Sequence, residues 1–120
     1  MKVKIREILE SSSVLQKLTT TSLPVKTSYN ILRNTRKISQ EIEPFEKART
    51  ELVAKYGTED ESGKIVVTDS NLQIFYKEVG ELLDEEIEVD IRPIKIDDLS
   101  DVKLSASELQ LIDYMIVKED

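Results

Sequence analysis

Between Pro24 and Gly57 apolar residues return every seven positions, at Ile31, Ile38, Phe45 and Leu52, with Ile42 and Tyr56 four residues after two of them. That spacing draws one apolar stripe along an α-helix. A helix of this length in a chain of 120 residues leaves the other elements little choice but to pack along it. Pro24 suits the first turn, because its fixed φ is helical and its missing amide hydrogen would be unbonded there anyway. Gly57 is the predicted C′ stop. Pro44 lies inside the run, where it removes an amide donor and crowds the preceding turn. The sequence therefore predicts a kink near Gln40–Pro44 or two helices in tandem. The stripe keeps its register through Ile38, Ile42 and Phe45, which favours the kink.

A second helix is predicted from Ser70 to about Glu85, with Leu72, Phe75, Val79 and Leu82 on one face. It is expected to lie antiparallel on the long helix as a helical hairpin. Gly80 costs about 1 kcal/mol relative to Ala inside a helix, and close packing is the expected compensation. Lys64–Val67 reads as a short strand. Glu86–Ile96 alternates, with Ile87, Val89 and Ile91 on one face and Glu86, Glu88 and Asp90 on the other, as a half-buried strand does. Pro93 ends it, bends it or places it at an edge. Residues 2–5 read equally as a strand and as the start of a helix through Ile5, Ile8 and Leu9.

Three capping-box patterns, Ser13/Gln16, Ser70/Gln73 and Ser105/Glu108, mark helix starts. The first would open a short helix from Val14 to about Thr19. The last would open an apolar C-terminal helix with Leu109, Leu111, Ile112, Met115 and Ile116. Segments 58–63 and 97–103 read as polar loops, and Asp120 closes an acidic tail. The expected fold is a single α+β domain over residues 1–120, mainly helical. It would hold a long kinked helix in an antiparallel helical hairpin, a small sheet from 64–67, 86–92 and 2–5, and a C-terminal capping helix.

The chain has no Cys and no His, so thiol chemistry, disulfides, thiolate metal sites and Ser-His-Asp or Cys-His catalysis are all excluded. No run of eighteen apolar residues provides a membrane span. The N-terminal segment lacks the apolar core of a secretory signal. The three glycines are isolated and form no phosphate-binding loop. Asp97, Asp98 and Asp101 lack the spacing and Gly of a calcium loop. No metal, no cofactor and no catalytic residue is selected, and the chain reads as a non-enzyme.

Net charge is −7, but residues 1–57 carry eleven Lys/Arg against six Asp/Glu, and residues 58–120 carry six against eighteen. Such halves either attract each other within the fold or meet different partners. Lys26, Arg33, Arg36 and Lys37 share one face of the long helix. As a phosphate-contacting stripe they would bind nucleic acid, although no reading motif or interleaved aromatic accompanies them and the overall charge opposes it. Glu86, Glu88 and Asp90, with Asp84 and Glu85, read as a solvated face or as a mimic of a phosphate backbone. Lys64 is expected to pair with one of these carboxylates. Leu32 and Val53 lie off the apolar stripe and are candidate contacts for a protein partner, a second copy of the chain included.

Met-Lys-Val-Lys-Ile-Arg-Glu-Ile-Leu at the start, Leu15-Gln16-Lys17-Leu18 and Leu23-Pro24-Val25-Lys26 form an ordered series of short motifs. It continues with Phe45-Glu46-Lys47-Ala48-Arg49, Lys55-Tyr56-Gly57, Ile94-Lys95-Ile96 and Leu104-Ser105-Ala106-Ser107-Glu108-Leu109. This series resembles an uncharacterised family of small proteins from tailed phages and prophages. The resemblance spans nearly the whole chain and supplies no catalytic residues. It implies a viral gene product in the bacterial host cytoplasm or the virion, partnered by a viral or host protein.

Overall fold

The structure, a computed structural model, describes residues 1–117; Asp120, which closes the expected acidic tail, lies outside them. The fold is α+β and mainly helical. Its elements are β1 (Lys2–Lys4), α1 (Ile5–Glu10), α2 (Ser12–Thr19), α3 (Val25–Tyr56), β2 (Gly57–Glu59), β3 (Ile65–Val67), α4 (Asp69–Leu83), β4 (Glu86–Glu88) and α5 (Ala106–Leu111). Single 3-10 turns occupy Ile96–Leu99 and Asp113–Met115. The chain divides into two compact units: residues 1–41 together with the segment from Glu86 onward, and Ile42–Glu85.

The first unit is discontinuous in sequence. Its sheet is the antiparallel pair β1 and β4, with Lys2 opposite Glu88, Val3 opposite Ile87 and Lys4 opposite Glu86. Residues 2–5 thus resolve their ambiguity by doing both: three residues pair as a strand and Ile5 starts a helix. The core gathers Val3, Ile5, Ile8, Val14, Leu15, Leu18, Ile31, Ile38, Val89, Ile91, Ile94, Leu99, Ile112 and Met115. Burial of each aliphatic side chain contributes about 1.5–3 kcal/mol before entropy is subtracted. The core-facing side of α3 also carries Asn34, fully buried. Its side-chain amide donates to the Arg92 carbonyl at 2.9 Å and its carbonyl accepts from the Arg92 amide at 2.9 Å. Asn34 therefore satisfies both backbone polar groups of one residue, Arg92, in the extended chain beyond β4. Farther along, Ile94 and Ile116 form a parallel bridge through Ile94 N–H to Met115 O (2.7 Å) and Val117 N–H to Ile94 O (2.8 Å).

The second unit is a helical hairpin. The C-terminal part of α3 and α4 are joined by the antiparallel β2–β3 ribbon, with Thr58 opposite Val66. Ile42, Phe45 and Phe75 are its buried side chains. Tyr56 ties the two helices at their shared end: its hydroxyl donates to Glu78 (2.9 Å) and its carbonyl accepts from Asn71 (3.1 Å).

Several expectations are corrected. Among the described residues no three-stranded sheet forms: 65–67 pairs with 57–59, and 86–88 pairs separately with 2–4. A ribbon partner whose nearest pair, Glu59 and Ile65, is six residues apart is reached at lower loop-closure cost than a distant strand. The segment after Gly57, expected to be loop, supplies that partner. Lys64 consequently meets Asp60 through its backbone, at 2.8 and 3.0 Å, and not the carboxylates of 84–90. Pro44 lies inside α3, which runs on through it as one helix, so the alternative of two tandem helices does not form. Gly57 follows the helix directly but is no left-handed stop. It starts β2, where an added Cβ would lie 2.5 Å from the Val53 carbonyl oxygen and 2.6 Å from the Ile65 side chain. The left-handed glycine is Gly63, φ +83°, in the β2–β3 turn. An added Cβ on Gly80 would meet nothing, so that glycine serves no close packing within the fold.

Of the three capping boxes only Ser105/Glu108 closes, with reciprocal bonds of 3.1 Å. The first helix boundary is set by Ser11, whose hydroxyl donates to the Ile8 carbonyl and bonds the Tyr114 hydroxyl; α4 has Thr68 at its N-cap, its hydroxyl bonded to that of Ser70 and making no capping bond. The apolar C-terminal helix is shorter than expected, ending at Leu111 before the 3-10 turn and bridge. Segment 97–103 begins inside the 3-10 turn, with Leu99 buried.

Candidate interaction surface

The first turns of α3 divide sharply. Thr27, Ile31, Asn34 and Ile38 face the core and are buried. On the opposite side Val25, Tyr29 and Leu32 are 86%, 56% and 44% exposed. Their i, i+4, i+7 spacing places them in one line, and Arg36 continues it. Three large apolar side chains left in water on one helix face differ from scattered surface hydrophobics, because they form a continuous strip.

A basic border accompanies the strip. Lys26 and Arg36 are exposed, and Arg33 and Lys37 are half-buried. Arg92 reaches over the Tyr29 ring, its guanidinium carbon 5.8 Å from the centroid, and donates to Asn30 at 3.4 Å. This cation–π contact holds Tyr29 beside a fixed positive charge. Arg33 donates to the Asp90 carboxylate at 2.7 Å. That bond and charge, with smaller contributions from Lys37 and Arg92, hold the Asp90 carboxyl below its usual range. The structure thus brings Arg33, Lys37 and Asp90 together from the two oppositely charged stretches of sequence.

The other candidate residues fall elsewhere. Glu86 and Glu88 are exposed on β4 directly across from Lys4 and Lys2, so the acidic strand alternates with basic neighbours. Glu88 also accepts from the Met1 amino group at 2.7 Å, which lowers its pKa. Val53 belongs to the helical hairpin unit, where it is half-buried, and its carbonyl oxygen abuts Gly57. Val25 and Tyr29 escaped the sequence reading. Their spacing with Leu32, half a turn away from the Ile31–Ile38 stripe, was the available signal.

Two open pockets lie in the first unit. One, of about 550 Å³, is walled by Glu7, Glu10, Gln110, Leu111, Asp113 and Tyr114. Burial pushes the Tyr114 hydroxyl pKa up, and its bond to Ser11 at 2.8 Å opposes that shift. The other, of about 380 Å³, opens beside Pro24, Lys26, Asn30, Pro93 and Lys95; there the Thr27 hydroxyl donates to Asp98 at 3.0 Å. Among the described residues no group of three carboxylates is arranged to hold a metal ion, and no helix is long and apolar enough to cross a membrane. No protein-family model, no curated protein and no solved structure matches this chain.

Proposed function

We propose that this chain is a non-catalytic protein-interaction protein that works through the outward face of α3. One observation carries the reading: Val25, Tyr29 and Leu32 form a continuous exposed apolar strip on a helix whose opposite side is fully engaged in the core. The strip has the chemistry of an interface centre, apolar and aromatic with Arg at its edge. The basic border adds orientation and faster encounter with an acidic partner. The setting belongs to the same proposal: a phage or prophage protein acting in virion assembly or on a host protein. Support for the setting comes from the order of the short motifs between Met1 and Leu109.

The test is affinity capture from infected bacterial cells, treated with nuclease, using wild type and Leu32→Glu as paired baits. A protein retained by wild type and lost with Leu32→Glu, at unchanged helicity and melting temperature, supports the reading. Identical capture by both baits refutes it. Loss of all capture on nuclease treatment would transfer the basic face to nucleic acid.

A further inference from the structure

The basic face of α3 has a chemical counterpart on the same chain. From Val25 to Lys37 the helix carries Lys26, Arg33, Arg36 and Lys37 and no acidic residue. The hairpin unit, Ile42–Glu85, carries five Lys/Arg against eleven Asp/Glu, a net of −6. On α4 the charge is ordered. Ile74, Glu78 and Glu81 follow one another at i, i+4 and i+7, and Glu85 lies just beyond the helix end. Ile74 is 45% exposed, and Glu81 and Glu85 are exposed. One unit therefore presents apolar side chains bordered by cations, and the other presents an apolar side chain in line with carboxylates.

We propose that the occupant of the α3 face is the acidic α4 stripe of a second copy of this chain. The proposal rests on the reading of that face given above and assigns its partner. Apolar contact at Tyr29, Leu32 and Ile74 supplies the attraction, and the Lys26/Arg36 and Glu81/Glu85 charges set the orientation. Because the two patches differ, the contact is heterologous. It propagates into larger assemblies unless two copies exchange the contact reciprocally. Neither patch is complementary to itself: like would meet like in charge, which disfavours packing α3 face on α3 face.

Sedimentation velocity on the full chain tests this, over roughly 2 to 200 µM protein at about 50 mM and 500 mM NaCl. The expected result is a weight-average mass rising with concentration above the 13.7 kDa of one chain, and falling back at high salt. Lys26→Glu/Arg36→Glu and Glu81→Lys/Glu85→Lys should each weaken association about a hundredfold, at about tenfold per reversed charge. All four side chains are exposed, so both variants should keep the wild-type circular dichroism spectrum. Mixed in equal amounts, the two variants should associate again, because each face then meets an opposite one. A wild-type chain that stays at 13.7 kDa throughout, or a mixture no more associated than its components, overturns the proposal. The capture experiment with Leu32→Glu has a separate readout, so a monomeric chain that still loses a partner with that substitution would sink self-association alone.

Discussion

Replacing Asn34 is the most informative single perturbation of the first unit. Its side-chain amide makes two bonds of 2.9 Å to the backbone N–H and C=O of one residue, Arg92, and the side chain is wholly inaccessible to water. Asn34→Leu keeps approximate volume and apolar packing while deleting both bonds. Each lost bond costs about 1 kcal/mol net, and each stranded polar group adds about 1–3 kcal/mol where water cannot reach it. Arg92 itself is exposed, so water can partly replace the lost partners, and the low end applies. The expected loss is about 2–3 kcal/mol, or roughly 10 °C in melting temperature for a domain of this size. Urea unfolding at 25 °C, followed by circular dichroism, should show a lower midpoint with an unchanged slope. Amide exchange at Arg92 should accelerate.

Asn34→Asp sharpens the test. The carboxylate still accepts from the Arg92 amide but cannot donate to its carbonyl, and burial should raise its pKa above the unfolded value of about 3.9. A group with a raised folded-state pKa contributes its full stability below the unfolded pKa and loses it as pH rises through the folded one. The deficit of Asn34→Asp relative to wild type should therefore shrink on acidification. A deficit below about 0.5 kcal/mol for both variants at neutral pH, within ordinary surface-mutation noise, would refute the claim that Asn34 holds this segment.

Gly57→Ala places a methyl group 2.5 Å from the Val53 carbonyl oxygen, and backbone cannot yield cheaply. It should cost about 2 kcal/mol or more, read as a lower urea midpoint, whereas Gly80→Ala, with open space around it, should gain up to about 1 kcal/mol. The Tyr114 hydroxyl is held neutral by burial. Absorbance titration at about 295 nm should show a tyrosine ionising later than the usual value near 10. Its raised pKa gives stability that is complete below that value and lost as pH rises through the folded one; Tyr114→Phe should remove the late phase. Asp60, Glu88, Asp90 and Glu108 all have lowered pKa values. Their contribution is present above about pH 4 and disappears as pH falls through the folded values. Melting temperature should drop on acidification below pH 4, less steeply in Asp90→Asn, which removes one of the four.

How much was legible follows from the range of each signal. The α3 stripe was readable because helical periodicity is local and repeats: Ile31, Ile38, Ile42 and Phe45 are buried as their spacing required. The same holds for Val89 and Ile91, which alternate into the core. Strand partners were not readable. Pairs of three residues carry almost no register information, and nothing in Lys2–Lys4 names Glu86–Glu88 as its mate. Capping patterns needed backbone geometry that the motif does not encode, so one closed and two did not. In the interaction surface, the meeting of Arg33 and Asp90 was implied by the charge imbalance between the two stretches. The roles of Asn34 and Arg92 were hidden, because a buried amide looks like any surface Asn until the peptide it serves is placed beside it.

The interleaving of the two units bears on the order in which the chain can acquire structure. During synthesis the whole hairpin segment, Ile42–Glu85, emerges before Glu86–Glu88 arrives to pair with Lys2–Lys4. Until then α1, α2 and the first turns of α3 expose Ile5, Ile8, Leu15, Leu18 and Ile31, all destined for the core. Their closure must wait for contacts more than eighty residues away in sequence, the slow non-local kind, while the hairpin closes through neighbours. A hairpin that closed at that stage would precede a first half whose core still lacks Val89, Ile91, Ile94, Leu99, Ile112 and Met115. Unit-by-unit folding during translation is the general habit of multi-part chains. Here the earlier-synthesised sequence is obliged to finish later, and the period of exposure is set by the ribosome's pace across residues 42–88 and beyond.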